Sequence, residues 1–288
     1  MATTTSTAVI GEFDSFHVGH RRLVSVARQI ADRERTALQA IVFHRGDDYV
    51  RLSTPEQRVE RLLDAGADHV TVVDGSSAGA EVTAARAVTN GRTRVAVMAC
   101  APARPRELRW PNLRTILRRS SVDIVEVERA TDEHGTPITS DLVQANVADG
   151  NVARAAALLG ASFTVTGIVT HGDARGRTIG FPTANVARDA RNLWPKFGVY
   201  AAWVATGGQR HRAAVNIGIR PTVYGASGTP LLEAHLLDFD GDLYDQRIVV
   251  HFVDRIRGEQ RFDSLDALTS RLSTDVAETR RLVMIPFA

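Results

Sequence analysis

Phe163-Thr-Val-Thr-Gly-Ile-Val-Thr170 alternates apolar with small or hydroxylated side chains, the period of a strand that buries one face. The same period recurs over Gly198–Ala205, Arg212–Ile217, Leu231–Asp238 and Arg247–Val253. Turn chemistry separates these runs. Gly207-Gly208 and Asp240-Gly241 stand between strand patterns, where tight hairpins need positive φ. Short strands joined by tight turns predict a small antiparallel barrel. A final helix opens near Ser264, with Leu265, Leu268, Leu272 and Val276 on one face.

Toward the N-terminus the pattern differs. Apolar runs at Thr7–Ile10, Ala37–Phe43, His69–Val73, Arg94–Ala99 and Asp123–Val127 read as strands. Helical patterns fall between them, at His20–Arg33 and at Pro55–Ala65, where Thr54 is a good N-cap. Strands alternating with helices predict βαβ units and a parallel sheet. Helical pattern resumes at Ser140 and ends at Gly160, a C-terminal cap. Two domains are therefore expected, residues 1–158 and 159–288.

Composition bounds the function. The 288 residues carry 44% hydrophobic and 24% charged side chains with a net charge of +2, ordinary for a soluble globular protein. Lys196 is the only lysine, so the arginine excess reads as codon bias and not as a phosphate-binding adaptation. Cys100 is the only cysteine, which excludes an intrachain disulfide and a cysteine zinc site. The start, Met1–Thr7, has no basic region leading into an apolar run. The longest uncharged stretch, Ala155–Thr170, is broken by glycines and hydroxyls and is too short and polar for a bilayer. A cytoplasmic protein with no nucleic-acid or membrane partner is expected.

The stretch His171-Gly-Asp-Ala-Arg-Gly-Arg-Thr-Ile-Gly-Phe-Pro-Thr-Ala-Asn185 carries the chemistry. Gly172, Gly176 and Gly180 let the backbone approach a polyphosphate and turn its N–H groups toward it, and Arg175 and Arg177 add charge. Such a loop is equally what a mobile hairpin looks like; the Pro-Thr-Ala-Asn that follows weighs against that. Thr183 and Asn185, two residues apart on an extended chain, face the same side. Both are hard oxygen donors of the kind Mg²⁺ takes in small number.

Gly167–Asn185, Phe197-Gly-Val-Tyr-Ala201, Asn216-Ile-Gly, Leu232-Glu-Ala-His-Leu236, Asp242-Leu-Tyr244 and Ile256–Leu265 together resemble the riboflavin kinase family, in the family's order. The resemblance implies a six-stranded antiparallel barrel with a terminal helix, and transfer of the ATP γ-phosphate to the 5′-hydroxyl of riboflavin, giving FMN. It implies that Thr183 and Asn185 hold Mg²⁺ and the ATP phosphates. Gly172, Arg175, Gly176, Arg177, Gly180, Phe181 and Pro182 would close over the nucleotide. Tyr244 would wall the nucleotide site, although a barrel-packing tyrosine fits equally well. Glu233 would be the general base, a role that periodicity alone does not separate from a solvated strand carboxylate. Asn216, Arg257 and Asp263 would contact the flavin.

Gly11-Glu-Phe-Asp-Ser-Phe-His-Val-Gly-His20 follows the first strand and opens a helix. His17, Gly19 and His20 at a helix N-terminus suit a phosphate and resemble the HxGH signature of nucleotidyltransferases. The resemblance is to the Rossmann-like adenylyltransferase half of bifunctional bacterial riboflavin kinase/FAD synthetases. Leu52–Arg58 and Ala65–His69 fit it too. Other stretches depart from it. Ser15 stands where the family has glycine, and Phe43-His-Arg-Gly-Asp-Asp where it has Phe-Asp-Pro-His-Pro. Met98–Arg104 replaces Gly-x-Asp-Phe-x-Phe-Gly. Thr139-Ser-Asp-Leu-Val-Gln144 replaces Ser-Ser-Thr-x-Ile-Arg, with Gln144 in place of the arginine and Asp141 where a phosphate docks. A degenerate adenylyltransferase domain is expected, with His17 and His20 kept as a helix-cap pair. The competing readings are a working bifunctional enzyme and a flavin-binding regulatory protein without turnover.

Overall fold

The computed structural model describes residues 5–44, 51–90, 93–99, 112–172, 175–187, 192–219 and 230–284. The chain divides into two compact units, Met1–Val143 and Gln144–Ala288.

The first unit holds β1 (Ser6–Gly11), β2 (Ala37–His44), β3 (His69–Asp74), β4 (Thr93–Ala99) and β5 (Asp123–Val127) in one sheet of order β3-β2-β1-β4-β5. All four pairings are parallel. The helices are α1 (Val18–Glu34), α2 (Pro55–Asp64), α3 (Ala80–Asn90) and α4 (Leu113–Arg119). Both faces of the sheet are covered, which is why its central strands are apolar without alternation. Val9, Leu38, Ala40 and Val97 pack with Leu23, Ala27 and Ile30 of α1. Ala8, Ile10, Ile41 and Phe43 pack on the opposite face with Ala84 and Val88 of α3 and Leu117 of α4. Each Val, Leu, Ile or Phe among them contributes about 1.5–3 kcal/mol on burial. Thr54 caps α2 in a capping box with Gln57. The strand order reverses direction at β1, and ligands of such sheets bind outside the strand ends at that point.

The helical pattern read as continuous from Ser140 to Gly160 is two helices, α5 (Ser140–Ala148) and α6 (Val152–Leu159). Gly150 breaks it with φ of +83°, and Gly160 is the expected left-handed cap, φ 69°.

The second unit is the closed barrel β10-β7-β6-β11-β8-β9. Its strands are β6 (Thr164–Thr170), β7 (Ala184–Val186), β8 (Gly198–Thr206), β9 (Gln209–Ile219), β10 (Pro230–Leu236) and β11 (Arg247–Arg257). A single turn, α7 (Arg175–Thr178), precedes β7, and α8 (Leu265–Leu282) closes the fold. Ser264 caps α8 by accepting from the Ala267 amide at 3.1 Å. Gly207 and Gly208, φ 54° and 77°, make the β8–β9 turn in the handedness that hairpins prefer. Alternate residues fill the barrel: Leu232, Ala234 and Leu236 point inward with Val215, Ile217, Tyr200 and Phe252, all buried. The intervening residues face outward, partly covered by α8, which packs on β8, β9 and β11. Among the described residues no helix is long and apolar enough to cross a membrane.

Candidate functional site

Strand register assembles the kinase-like site. Glu233 on β10 lies opposite Asn185 on β7 and opposite Asn216 on β9. Asn216 faces Val199 on β8, and Val199 faces Arg257 on β11. These five form one row on the outer face of the barrel, out of register with the buried inward set. Asn216 Nδ2 donates to Glu233 Oε2 at 3.4 Å, which fixes the carboxylate against the strand.

A cavity of about 370 Å³ adjoins this row. Glu233, Asn216, Thr183 and Gly176 supply its polar side, and Arg257, Glu259 and Gln260 rim another edge. Apolar walls come from Ile179 and Phe181 after α7, Val199 and Ala214 of the barrel, Phe262, and Leu268, Leu272 and Val276 of α8. Of the helix face read from the sequence, only Leu265 departs: it is 64% exposed and lies beyond the cavity. One space thus offers apolar walls beside a carboxylate and a set of oxygen donors.

The glycine loop folds as its residues require. Phe181 N donates to Gly176 O at 2.8 Å, and a Cβ on Gly176 would strike the Phe181 carbonyl. Gly180 adopts φ +84°, a conformation that costs any other residue. A Cβ on Gly172 would run into the Asn185 side chain, so the loop start packs against the proposed metal ligand. Asn185 Oδ1 is shielded from solvent and has no hydrogen-bond partner among the described residues. An orphaned carbonyl oxygen is costly, and a hard cation is a fitting partner for it. Thr183 is exposed and lines the cavity. The residues present therefore fit Mg²⁺.

Other predicted residues have different surroundings. Arg177 is exposed and does not line the cavity; the side chain of Arg175 lies outside the described residues. Pro182 is exposed, and its carbonyl accepts from His235 Nδ1 at 2.7 Å. Phe181 packs edge-on to the same His235 ring at 5.4 Å. No local sequence pattern marks His235 for this part; it pins the loop to β10. Tyr244 stacks on His171 at 3.9 Å between centroids, at the mouth of the loop and away from the cavity lining. Asp263 is exposed and likewise outside the lining. Arg257 lines the cavity, with Nε and Nη2 bonded to Asp275 and Nη1 to Gly258 O.

In the first unit the loop after β1 is unusually bent. Phe13, Ser15 and Phe16 have φ of 53°, 69° and 52°. The Asp14 carboxylate holds it: Oδ1 accepts from the Ser15 and Ser53 amides, Ser53 Oγ and Arg58 Nη2 at 2.9–3.1 Å. Asp14 and Arg58 are both buried. His17 is the N-cap of α1, its Nδ1 accepting from the His20 amide at 3.2 Å. The two rings stack at 3.7 Å. A Cβ on Gly19 would press on the His17 ring at 3.0 Å, so glycine lets that ring lie over the first turn. Burial pushes His17 down to about 4 and holds His20 well below the ordinary histidine range, helped by neighbouring His17.

Thr139 caps α5 by accepting from the Leu142 amide at 3.1 Å, and Ser140 Oγ donates to Asp14 O at 2.7 Å. Both hydroxyls of that signature therefore have protein partners. Asp141 is exposed, and Gln144 lies further along α5. The departures at Arg45–Asp48 and Cys100–Arg104 lie outside the described residues.

Comparison with known proteins follows the same division. A riboflavin kinase family model matches residues 159–283, and an FAD synthetase model matches residues 1–97. The bifunctional riboflavin kinase/FMN adenylyltransferase of Bacillus subtilis (strain 168) is 30% identical over 293 residues, covering 96% of this chain and 92% of its own. That of Escherichia coli (strain K12) is 34% identical over 287 residues, covering 94% and 90%. A crystal structure described as a macrolide-efflux protein from Streptococcus pneumoniae matches with a TM-score of 0.85 at 28% identity, covering 97% of this chain and 95% of that one. With two-domain order, barrel and sheet all in agreement, the chain belongs to the bifunctional riboflavin kinase/FMN adenylyltransferase family.

Proposed function

We propose that the protein is an ATP-dependent riboflavin kinase that forms FMN. The observation that carries this is the row Asn185–Glu233–Asn216, in register on adjacent strands beside a cavity with apolar walls. Phosphoryl transfer needs positioning, charge neutralisation and a proton acceptor at the attacking hydroxyl more than covalent help. Glu233, oriented by Asn216, accepts the proton of the flavin 5′-hydroxyl. The apolar slot takes the isoalloxazine ring, and the loop from His171 to Phe181, tied down through His235, covers the phosphates. Thr183 and Asn185 hold Mg²⁺, which neutralises charge on the ATP phosphates when bound.

In this reading the N-terminal half no longer makes FAD. The arginine of the family signature is Gln144, Asp141 brings a negative charge to its third position, and Thr139 and Ser140 have protein partners. Losing a charged hydrogen bond to a phosphate costs about 1.5–3 kcal/mol. The second reading, a working bifunctional enzyme, is favoured by relatives that match over both halves and by the stacked, neutral His17–His20 pair. Incubating the protein with riboflavin, ATP and Mg²⁺ and separating the flavins tests both. FMN without FAD is the expected product. No FMN would overturn the kinase assignment, and FAD formation abolished by His17→Ala would establish the bifunctional reading.

A further inference from the structure

Asp275 sits in the middle of α8 with 1% of its surface exposed. A carboxylate is kept from water only when it is paired. Arg257 Nε donates to its two oxygens at 3.1 and 3.0 Å, and Nη2 to Oδ2 at 2.8 Å. Arg271, one turn earlier, adds an ion pair at 3.2 Å. The same Arg257 guanidinium lies over the Phe262 ring at 5.7 Å.

The place of this bracket along α8 is what matters. Toward the C-terminus the helix is anchored: Val283 is buried with Ala201, and Arg212 Nε donates to Val283 O at 2.8 Å. Toward the N-terminus no residue from Leu265 to Thr274 is buried, and Leu268 and Leu272 face the cavity. Asp275 itself borders the cavity, at the point where buried anchoring gives way to cavity wall. Apolar contact alone would let that half of the helix slide or tilt, whereas a one-carbon side chain gripping a bidentate partner fixes a distance.

We propose that Asp275 is a positioning residue for the flavin: by gripping Arg257 it sets the gap between the wall made by α8 and Phe262 and the barrel floor at Val199 and Ala214. That gap is the width of the slot that receives a flat aromatic ring. The proposal rests on the kinase reading only in identifying the ring as a flavin.

The test is Asp275→Glu, which keeps the charge and lengthens the bracket by one methylene, beside the double variant Arg257→Met/Asp275→Leu, which replaces the ion pair with apolar packing. Riboflavin binding is read without nucleotide by quenching of flavin fluorescence, MgATP binding is read separately, and Tm is recorded for each. The expected result is riboflavin affinity weakened about tenfold in Asp275→Glu, the lower end for a one-methylene misfit in an apolar pocket. MgATP affinity stays within twofold, and Tm falls little. Should Asp275→Glu fail to fold, Asp275→Asn, which keeps Arg257 and the side-chain length but removes the charge, carries the comparison. Riboflavin affinity unchanged in a folded variant, or riboflavin and MgATP affinity falling together, overturns the proposal. So does a wild-type protein that binds no riboflavin. FMN formation by the wild type is scored separately, so a protein that binds riboflavin without phosphorylating it refutes the kinase reading and leaves the bracket decided by the affinities.

Discussion

Glu233 owes its place to two neighbours rather than to its own strand. Asn216 holds one of its oxygens, and the register with Asn185 puts it beside the proposed metal ligands. Glu233→Gln keeps the shape and the hydrogen bond but removes the proton acceptor. We expect kcat for FMN formation to fall about 10²–10⁴-fold with Tm unchanged, and turnover near wild type would remove Glu233 from the mechanism. Asn185 makes a separable prediction, because its Oδ1 is buried and without a protein partner. Asn185→Ala should weaken MgATP binding while leaving riboflavin binding, measured alone, within twofold. Equal loss of both would show that the side chain serves packing against Gly172 instead. Spacing alone proposes Thr183 with Asn185 as a pair; it gives no sign of the His235 contact, because its partner Pro182 is 53 residues away and no local pattern encodes it.

Among elements, those with long periodic patterns were the readable ones. β6, β10 and the first half of β11 follow their alternation, whereas Gly198–Ala202 of β8 is buried throughout, and the helix caps at Thr54 and Ser264 lie where side-chain chemistry puts them. β7 has three residues, too few to show a period; only the family resemblance implied a sixth strand. The split of α5 from α6 was missed because a single glycine in a helical pattern is often tolerated. Here Gly150 is essential to the break: a Cβ would lie 2.8 Å from Tyr200 Oη and 2.9 Å from Arg255 Cδ, at φ +83°. Gly150→Ala should therefore cost about 1–3 kcal/mol, read as a lower denaturation midpoint, whereas a midpoint at or above wild type would mean that the turn repacks freely. The apolar stripe of α8 teaches a different lesson. Periodicity reports that Leu268, Leu272 and Val276 share a face, but it does not distinguish a face packed on the barrel from one that borders a cavity.

At the scale of the whole molecule, buried neutral histidines tie stability to pH. His17 in the first unit and His251 in the barrel are both pushed by burial down to about 4, the latter beneath a stack with Trp203 at 3.5 Å. A depressed folded-state value means that the unfolded chain takes up the proton first. The stabilisation is complete above about pH 6.5, the unfolded value, and is lost as pH falls toward 4. Each tenfold in a protonation equilibrium is worth about 1.4 kcal/mol, so His17 alone makes the loss on the order of 3 kcal/mol. Denaturation midpoints at pH 7.5 and 4.5 should differ accordingly. The difference should shrink in His17→Asn, since asparagine can still cap α1; an equal drop in that variant would assign the acid sensitivity elsewhere. A last consequence comes from the barrel having its site on the outer row of residues. Leu232, Ala234 and Leu236 answer to packing, while Glu233 and His235, threaded between them, line the cavity. Two selective pressures therefore act on alternate letters of the same strand. Substitutions on the outward letters can therefore reshape the cavity row without retuning the interior, and mutations that repair a damaged interior need not touch that row.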